Sequence, residues 1–274
     1  MDHQGHEPRP LATSGRGGVS DMTTAVITGS ASGIGAATRA RLESEGFNVI
    51  GIDLRNAEIE ADLSTPEGRQ KAVSETIEKS NGKIDRLVLA AGLGGHLEDG
   101  ALVARVNYFG ALAVLDGLKD ALVVAGGRCV VIGSFSATMF IEPDNPVVAA
   151  LLQNDEEAAM MAIGDLHAAK TYATSKHALT RMVRRRSAEW GAAGVTLNLI
   201  APGQTATPMQ QGAAEHPTIS KALSSIPVPK KRVASPDEMA GVIQFLLSDA
   251  ADYMQGSVVY VDGGTDAQLR PDGF

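Results

Sequence analysis

A glycine-rich segment follows directly on a short apolar run near the start of the chain. Residues 25–27 are Ala-Val-Ile, and Gly29, Gly33 and Gly35 then have the spacing G-x-x-x-G-x-G. Glycine at such positions lets the backbone turn sharply and lets the following helix pack close to the strand. The free N–H groups at the start of that helix attract phosphate groups. The segment therefore predicts a β-α-β unit that holds a dinucleotide.

Short β-branched runs alternate with helical stretches along the rest of the chain. They lie at residues 25–28, 48–53, 87–91, 129–134, 196–201 and 258–262. Strands separated by helices pair in parallel, and the helices cover both faces of the sheet. We therefore predict one α/β domain over residues 23–274, with a Rossmann-type, doubly wound parallel sheet. Ligands of such folds bind at the carboxyl ends of the strands, where the strand order switches.

Charge and composition narrow the classes of partner. The 24 basic and 32 acidic residues give a formal net charge of −8, which argues against a nucleic-acid partner. No apolar stretch approaches the ~20 residues that span a bilayer, so no membrane span is expected. The single cysteine, Cys129, allows no internal disulfide and favours a cytoplasmic location. Residues 1–22 lack a hydrophobic period and the apolar centre of a secretory signal, so we predict a disordered N-terminal tail.

The second apolar run ends on an acidic residue, Asp53. A carboxylate there accepts hydrogen bonds from ribose hydroxyls and repels a 2′-phosphate, so we expect NAD as cofactor and find NADP less favoured. Arg55 is close enough in sequence to reach a phosphate, although a surface arginine is its commoner role. Asp62 has two interpretations of equal weight: an acid beside the adenine, or an acid at a helix N-terminus before Ser64 and Pro66.

Tyr172 and Lys176 form the second chemical element. They stand in the sequence Tyr-Ala-Thr-Ser-Lys, so a helix places both side chains on one face. A free tyrosine has a pKa near ~10, too high for a base at neutral pH, but a fixed ammonium nearby favours the phenolate. Taken alone, the pair is equally consistent with two exposed side chains on a helix. Together with the glycine segment, it predicts proton transfer beside a nicotinamide cofactor.

Several motifs between residues 23 and 264 resemble the short-chain dehydrogenase/reductase family in type and in order. They are residues 28–35, Asp62, residues 91–92, 107–110 and 132–134, Tyr172 with Lys176, residues 202–203 with Thr207, and residues 261–264. The resemblance implies an NAD-dependent oxidoreductase that interconverts a secondary alcohol and a ketone.

The same resemblance implies a role for individual residues. Tyr172 is the expected acid/base, Lys176 its electrostatic partner and Ser134 the hydroxyl that orients the carbonyl. Asn107 is the expected link in a proton relay, and Ser136 is an alternative to Ser134. The residues expected at the cofactor are Gly29, Ser32, Gly33, Ile34, Gly35, Asp53, Leu54, Asp62, Leu63, Ala91, Gly92, Tyr172, Lys176, Pro202, Gly203, Thr205 and Thr207.

The chain departs from the family's pattern in two places. Residues 89–92 read Leu-Ala-Ala-Gly, without the asparagines that the family often carries there. The stretch between Ser134 and Tyr172 is longer than usual, which predicts a helical insert at about 141–168 with its helix-prone part at 147–163. We expect the insert to shape the substrate mouth or a subunit interface. His96, His167 and His177 lack the clustered spacing of a metal site, so no metal is expected.

The resemblance is strongest to the members of this family that oxidise 3α-hydroxysteroids and reduce other carbonyl compounds. It rests on residues 51–55, 61–64, 106–110, 155–157 and 262–271. It implies a hydrophobic alcohol or ketone, such as a steroid, as substrate, and a homodimer or homotetramer as assembly. Residues 205–225 contain Met209, Ile219 and Leu223 and are expected to form a mobile apolar lid over varied ligands.

Three other functions stay open at this point. A nucleotide-sugar epimerase or dehydratase also uses a Tyr-x-x-x-Lys pair with NAD, but its glycine spacing is usually G-x-x-G-x-x-G. A dehydrogenase for another hydrophobic cyclic alcohol would share every motif named above. A non-catalytic NAD-binding scaffold would keep the fold and lose turnover, although intact Ser134, Tyr172 and Lys176 argue against such a loss.

Overall fold

A sheet of parallel strands runs through the part of the chain that the computed structural model describes, residues 23–139 and 144–273. Its strands are β1 Thr24–Thr28, β2 Asn48–Asp53, β3 Ile59–Glu60, β4 Arg86–Leu89, β5 Arg128–Ile132, β6 Thr196–Pro202 and β7 Val258–Val261. They lie in the order β3-β2-β1-β4-β5-β6-β7. The predicted Rossmann-type fold is thus confirmed. The predicted tail, residues 1–22, lies outside the described residues.

The six predicted strands are all present, with small shifts of their ends. A further strand, β3, was not predicted and pairs in parallel with the end of β2, where Ile59 lies beside Ile52 and Glu60 beside Asp53. Two residues are too few to show a period in the sequence, so pairing with β2 alone defines this strand.

Helices cover both faces of the sheet. They are α1 Gly33–Ser44, α2 Pro66–Lys79, α3 Gly100–Ala104, α4 Ala111–Gly117, α5 Lys119–Ala125, α6 Pro146–Leu152, α7 Glu156–Ile163, α8 Ala168–Ala192, α9 Pro208–Glu215, α10 Pro217–Ser225, α11 Pro236–Leu246 and α12 Thr265–Leu269. A π-helical turn, Arg105–Gly110, joins α3 to α4, and a 3₁₀ turn, Phe135–Thr138, follows β5 closely. No helix among the described residues has the length and apolar character needed to cross a membrane.

Alternate residues of each central strand are buried on opposite faces of the sheet, as the two-residue period of a strand requires. In β1, Val26 belongs to the cluster covered by α4, α5 and α8. Its neighbours Ala25 and Ile27 belong to the cluster that contains Leu42 of α1 and Ile243 of α11. Burial on both faces explains why the strands appear in the sequence as continuous apolar runs.

The predicted insert forms two helices, α6 and α7, where the sequence suggested one helix-prone stretch over 147–163. The break lies at Asn154, whose backbone has a φ of 57°. Asp155 then caps α7, because its side chain accepts the N–H of Ala158 at 2.9 Å. Buried Val147, Leu151 and other apolar side chains of both helices join the core cluster beside α8. Residues 141–143 of the predicted insert lie outside the described residues.

The strand order places the binding crevice. From β1 the chain proceeds to β2 and β3 on one side, and then returns to β4 on the other side of β1. Connections that leave neighbouring strands in opposite directions open a crevice at their carboxyl ends. The glycine segment after β1 and residues 90–92 after β4 therefore lie together.

Candidate active site

The glycine segment leaves no room for side chains at two of its positions. A Cβ added to Gly29 would lie 2.7 Å from the backbone nitrogen of Ala91, and one added to Gly35 would lie 2.0 Å from the carbonyl oxygen of Gly29. Gly29 and Gly33 also have positive φ values, 68° and 54°, which favour glycine. The backbone thus forms an open cradle at the N-terminus of α1, and this cradle fits the pyrophosphate of a dinucleotide.

Asp53 is fixed at the end of β2 with its carboxylate towards the glycine segment. Its Oδ2 accepts the N–H of Ala31 at 2.9 Å, and its Oδ1 accepts the N–H of Leu54 at 2.7 Å. Each oxygen keeps a lone pair for a further donor, such as a ribose hydroxyl. Arg39 lies nearby on α1, but its guanidinium pairs with Glu43 and Glu58 and is therefore engaged elsewhere.

Asp62 lines the same crevice and also shapes the start of α2. Its Oδ1 accepts the N–H of Ser64 at 2.9 Å and the hydroxyl of Ser64 at 2.7 Å. The N-cap of α2 is Thr65, whose side chain accepts the N–H of Gly68. Asp62 is therefore not the cap itself, and together with Leu63 it lines the cavity.

Ser134, Tyr172 and Lys176 meet at the carboxyl end of β5. Ser134 is 5% exposed, and its Oγ lies 2.9 Å from the Oγ of Ser136. Lys176, also 5% exposed, donates from Nζ to the carbonyl oxygen of Ile132 at 2.8 Å. This bond holds the ammonium near the Tyr172 ring, with Nζ 6.0 Å from the ring centroid.

Burial shifts the pKa values of Tyr172 and Lys176, which both lie on α8. It raises the pKa of Tyr172, and a side-chain hydrogen bond with Ser134 acts in the opposite direction. It lowers the pKa of Lys176 to about 8. The expected lowering of the Tyr172 pKa by Lys176 is not seen: burial raises this pKa, and the opposing contribution comes from Ser134.

Asn107 lies in the π-helical turn and supports the loop after β4. Its Oδ1 accepts the N–H of Leu93 at 2.7 Å, and its Nδ2 donates to the carbonyl oxygen of Leu93 at 3.0 Å. Its Oδ1 and the Nζ of Lys176 both lie close to Gly92, at 3.2 and 3.6 Å from a Cβ added there. The structure thus places Asn107 beside Lys176, with its amide engaged by the Leu93 backbone.

The segment after β6 closes the crevice from the other side. Gly203 lies against Asp262, where an added Cβ would be 2.6 Å from the Asp262 Cα. Thr207 caps α9 by accepting the N–H of Gln210 at 3.2 Å, and its methyl carbon is 3.1 Å from a Cβ added to Gly33. The segment that carries Thr205 and Thr207 therefore faces the glycine segment directly.

These residues line one cavity of about 1250 Å³. All the residues expected at the cofactor line it, and so do Ser134 and Ser136, whereas Asn107 lies behind the wall. Sequence reasoning did not predict that His96 and Lys170 line it too. The sequence could have indicated His96 as a lining residue, because it follows shortly after residues 90–92. For Lys170 the sequence signal is its position two residues before Tyr172 on the same helix.

The described histidines do not cluster with other metal-ligating side chains. Within residues 23–139 and 144–273, no three His, Cys, Asp or Glu side chains lie close enough to hold a metal ion. His177 has a backbone partner instead, since its Nδ1 lies 2.7 Å from the carbonyl oxygen of Ala137.

Comparison with known proteins identifies the family. The family model described as short chain dehydrogenase matches residues 23–143, and one described as enoyl-(acyl carrier protein) reductase matches residues 158–266. The 3-alpha-hydroxysteroid dehydrogenase/carbonyl reductase of Comamonas testosteroni is 44% identical over 257 residues, which cover 92% of this chain and 100% of that protein. The chain belongs to the short-chain dehydrogenase/reductase family. Like the family, it is an oxidoreductase that acts on the CH–OH group of alcohols and on the matching ketones.

Two further members of the short-chain dehydrogenase/reductase family extend the comparison. The crystal structure of the 3-alpha-hydroxysteroid dehydrogenase from Pseudomonas sp. B-0831 complexed with NADH has a TM-score of 0.90 and 42% identity, covering 92% of this chain and 100% of that one. The coniferyl-alcohol dehydrogenase of a Pseudomonas species is 32% identical over 87% of this chain and 94% of its own. The family assignment from sequence motifs is thus confirmed.

Proposed function

We propose that this protein interconverts a 3α-hydroxysteroid and the corresponding 3-oxosteroid with NAD, and that it also reduces smaller hydrophobic carbonyl compounds. The observation that carries the proposal is a single cavity whose wall contains the glycine cradle and Asp53 together with Ser134, Tyr172 and Lys176. Beyond these three residues the walls are largely apolar, as a ring system requires. The steroid activity in the names of two relatives at 44% and 42% identity supports the choice of ring.

The positions of three side chains support the proposed catalytic roles. The chemistry that NAD supplies when bound is hydride transfer to and from the alcohol carbon. In oxidation, the Tyr172 oxygen takes the proton of the alcohol; in reduction, its hydroxyl returns a proton to the forming alkoxide. Ser134 donates a hydrogen bond to the substrate oxygen and so fixes the carbon that reacts. The Lys176 ammonium favours the phenolate form of Tyr172. Its N–H groups that do not donate to Ile132 remain available to ribose hydroxyls.

Asp53 supports NAD over NADP. Two backbone N–H groups hold its carboxylate in place, so it accepts ribose hydroxyls without reorganisation and repels a 2′-phosphate. Arg55 is exposed at this edge of the sheet. The other cofactor contacts proposed are the glycine segment, Asp62 with Leu63, residues 91–92 and residues 202–207.

Assembly and location are part of the same proposal. By likeness to the family we propose a homodimer or homotetramer in the cytoplasm, with the α6–α7 insert as the element that decides which faces meet. Light scattering in solution should give a mass of two or four chains. A mass of one chain at micromolar concentration would remove this part of the proposal.

The proposal is tested by the initial rate of NADH formation. We expect turnover of a 3α-hydroxysteroid with NAD, and slower or no turnover of the 3β epimer or with NADP. Tyr172→Phe should lower the rate by at least about a hundredfold while NAD still binds, since general acid–base catalysis contributes that much. Retained turnover in Tyr172→Phe would refute the role of the phenol. NAD binding without turnover of any cyclic alcohol would favour the non-catalytic scaffold.

A further inference from the structure

The hydroxyl of Ser134 has one proton to donate and two positions at which it can accept a hydrogen bond. In the proposed function it donates this proton to the substrate oxygen in both directions of the reaction. A ketone oxygen can only accept, and the proton of an alcohol goes to Tyr172. A Ser134 hydroxyl that donates to some other group is lost to the reaction, so the contacts that orient it decide how well it acts.

The 3₁₀ turn Phe135–Thr138 fills the first acceptor position of Ser134. Ser134 is the N-cap of this turn, and its Oγ accepts the N–H of Ser136 at 3.2 Å. Two further backbone bonds close the turn. The N–H of Ala137 donates to the carbonyl oxygen of Ser134 at 3.1 Å, and the N–H of Met139 donates to that of Ser136 at 3.0 Å. The backbone of Ser136 is thus held beside the Ser134 hydroxyl.

The side chain of Ser136 contacts the Ser134 hydroxyl as well. Its Oγ lies 2.9 Å from the Oγ of Ser134, and Ser136 lines the same cavity. Over residues 23–139 and 144–273, Ser134 is the one residue that forms a hydrogen bond with the Ser136 hydroxyl. One proton lies between the two oxygens, so either Ser136 donates to Ser134 or Ser134 donates to Ser136.

The surroundings of this pair favour Ser136 as the donor. Ser134 also forms a hydrogen bond with Tyr172, and the phenolate form of Tyr172 can only accept. Because Ser134 has a single proton, a Ser134 that donates to the phenolate must receive the proton of its contact with Ser136. The side chains next to Ser136 in the turn, Phe135 and Ala137, are buried and apolar and offer it no other acceptor.

With Ser136 as the donor, both acceptor positions of Ser134 are filled. The proton of Ser134 then remains for the cavity, where it meets Tyr172 or the oxygen of a bound substrate. A hydroxyl that accepts a hydrogen bond is also polarised and becomes a stronger donor. The benefit is greatest when negative charge develops on the substrate oxygen during reduction.

We propose that Ser136 is a positioning residue for the reaction: its hydroxyl donates to Ser134 and keeps the Ser134 proton directed at the substrate oxygen. The inference rests on the proposed function, because it concerns the hydroxyl that orients the substrate there. Ser136 acts through Ser134 and takes no proton from the substrate. Its effect therefore belongs to kcat and not to the binding of NAD.

Two variants with the same side-chain shape test the role of the hydroxyl. Ser136→Thr keeps it, and Ser136→Val replaces it by a methyl group. We expect kcat to be about threefold to tenfold lower in Ser136→Val than in Ser136→Thr, the usual contribution of one hydrogen bond. The affinity for NADH should be equal in the two variants. Thr138→Val is the control and should leave kcat unchanged, since the Thr138 hydroxyl donates to the Phe135 carbonyl and to Asp266.

A double-mutant cycle separates action through Ser134 from a structural effect. In the Ser134→Ala background, Ser136→Thr and Ser136→Val should have equal kcat, because the hydroxyl has no partner left to orient. A disturbance of the turn would persist in that background. The rates are taken with a secondary alcohol that the wild type oxidises, whether or not it is a steroid. Equal kcat of the two variants with Ser134 present, or an undiminished difference without it, would overturn the inference.

The ionisation of Tyr172 gives a readout that needs no turnover. Ultraviolet difference spectra report tyrosinate, and subtraction of Tyr172→Phe in each background removes the signal of the other tyrosines. The ionisation constant of Tyr172 should be about threefold to tenfold smaller in Ser136→Val than in Ser136→Thr, because Ser134 then donates less to the phenolate. If no steroid turns over, the proposed function fails, and this ratio still decides the inference: equal ionisation constants would overturn it.

Discussion

The burial of Lys176 disfavours the charged form of its side chain. Burial lowers its pKa from 10.5 to about 8, while the unfolded chain keeps the ordinary value. Between these pH values the unfolded state therefore binds a proton that the folded state has released. The unfolding free energy must rise with pH across this window, by about 3 kcal/mol in total. Below pH 8 the cost of the buried ammonium is fully present.

This dependence is measurable when the titration of Tyr172 is removed. We compare Tyr172→Phe with the double variant Tyr172→Phe/Lys176→Met by urea unfolding at several pH values. The difference in unfolding free energy should shift by up to about 3 kcal/mol in favour of the lysine between pH 8 and 10.5. The unpaired Ile132 carbonyl in the double variant adds a constant offset only. A difference that does not vary with pH would contradict the lowered pKa.

At the scale of elements, Arg69 connects the insert to the side of the cavity that Asp62 and Leu63 line. This arginine of α2 is 8% exposed and donates to Glu156 of α7, with Nη1 2.6 Å from Oε2. Its Nε donates to the carbonyl oxygen of Leu63 at 2.8 Å. Glu156 also lies 3.4 Å from the guanidinium of Arg105, at the start of the π-helical turn. Through these two arginines, one carboxylate thus links α7 with the loop at Leu63 and with the turn that carries Asn107.

Removal of that carboxylate should affect stability and cofactor binding together. Glu156→Gln leaves Arg69 with its charge buried and unmatched, so we expect a loss of about 1–3 kcal/mol, less than for a fully buried pair because Glu156 is partly exposed. The KM for NAD should rise with little change in kcat. Chemical unfolding and initial rates measure both effects. Glu157→Gln, an exposed neighbour on α7, is the control, and equal behaviour of the two variants would refute the link.

The features that the sequence predicted depend on interactions between residues near each other in the chain, and most of those that it missed depend on contacts between distant residues. Strands of four to seven residues and the glycine segment have local signals, so they could be predicted. β3, with two residues, depends on pairing with β2. The π-helical turn accompanies the tertiary hydrogen bonds from Asn107 to Leu93, which no local pattern contains. The break at Asn154 did have a signal, because Asn-Asp before Glu-Glu is typical of a helix start.

The same distinction holds in the site. Tyr172 and Lys176 stand four residues apart on one helix, so their proximity follows from local structure. The lowered pKa of Lys176 depends on burial by distant segments. Lys170 could not be assigned because a lysine on a helix has the same local sequence whether it faces solvent or a cavity. That Lys170 lines the cavity became evident only from the structure.

At the scale of the whole molecule, α1 and α11 join the first β-α-β unit to the C-terminal part of the fold. Two kinds of contact hold them. Arg41 of α1 forms an ion pair with Asp237 of α11, with Nη2 2.7 Å from Oδ2, but the side chains are 34% and 67% exposed. Beneath this pair, Leu42 and Ile243 are buried to 1% and 0% exposure in one apolar cluster. Solvent exposure decides how much each of the two contacts contributes to the unfolding free energy.

The apolar contact should dominate. Ile243→Ala leaves a cavity in a fully buried cluster and is expected to cost about 2–5 kcal/mol of unfolding free energy. Arg41→Ala removes an exposed pair, which solvent screens, and should cost less than about 1 kcal/mol. Urea unfolding of both variants measures the difference, and NAD at a hundred times its Kd should stabilise each by the same ~2.7 kcal/mol if the cradle of α1 is intact. A larger loss in Arg41→Ala than in Ile243→Ala would show that the ion pair, and not the buried cluster, holds the two parts together.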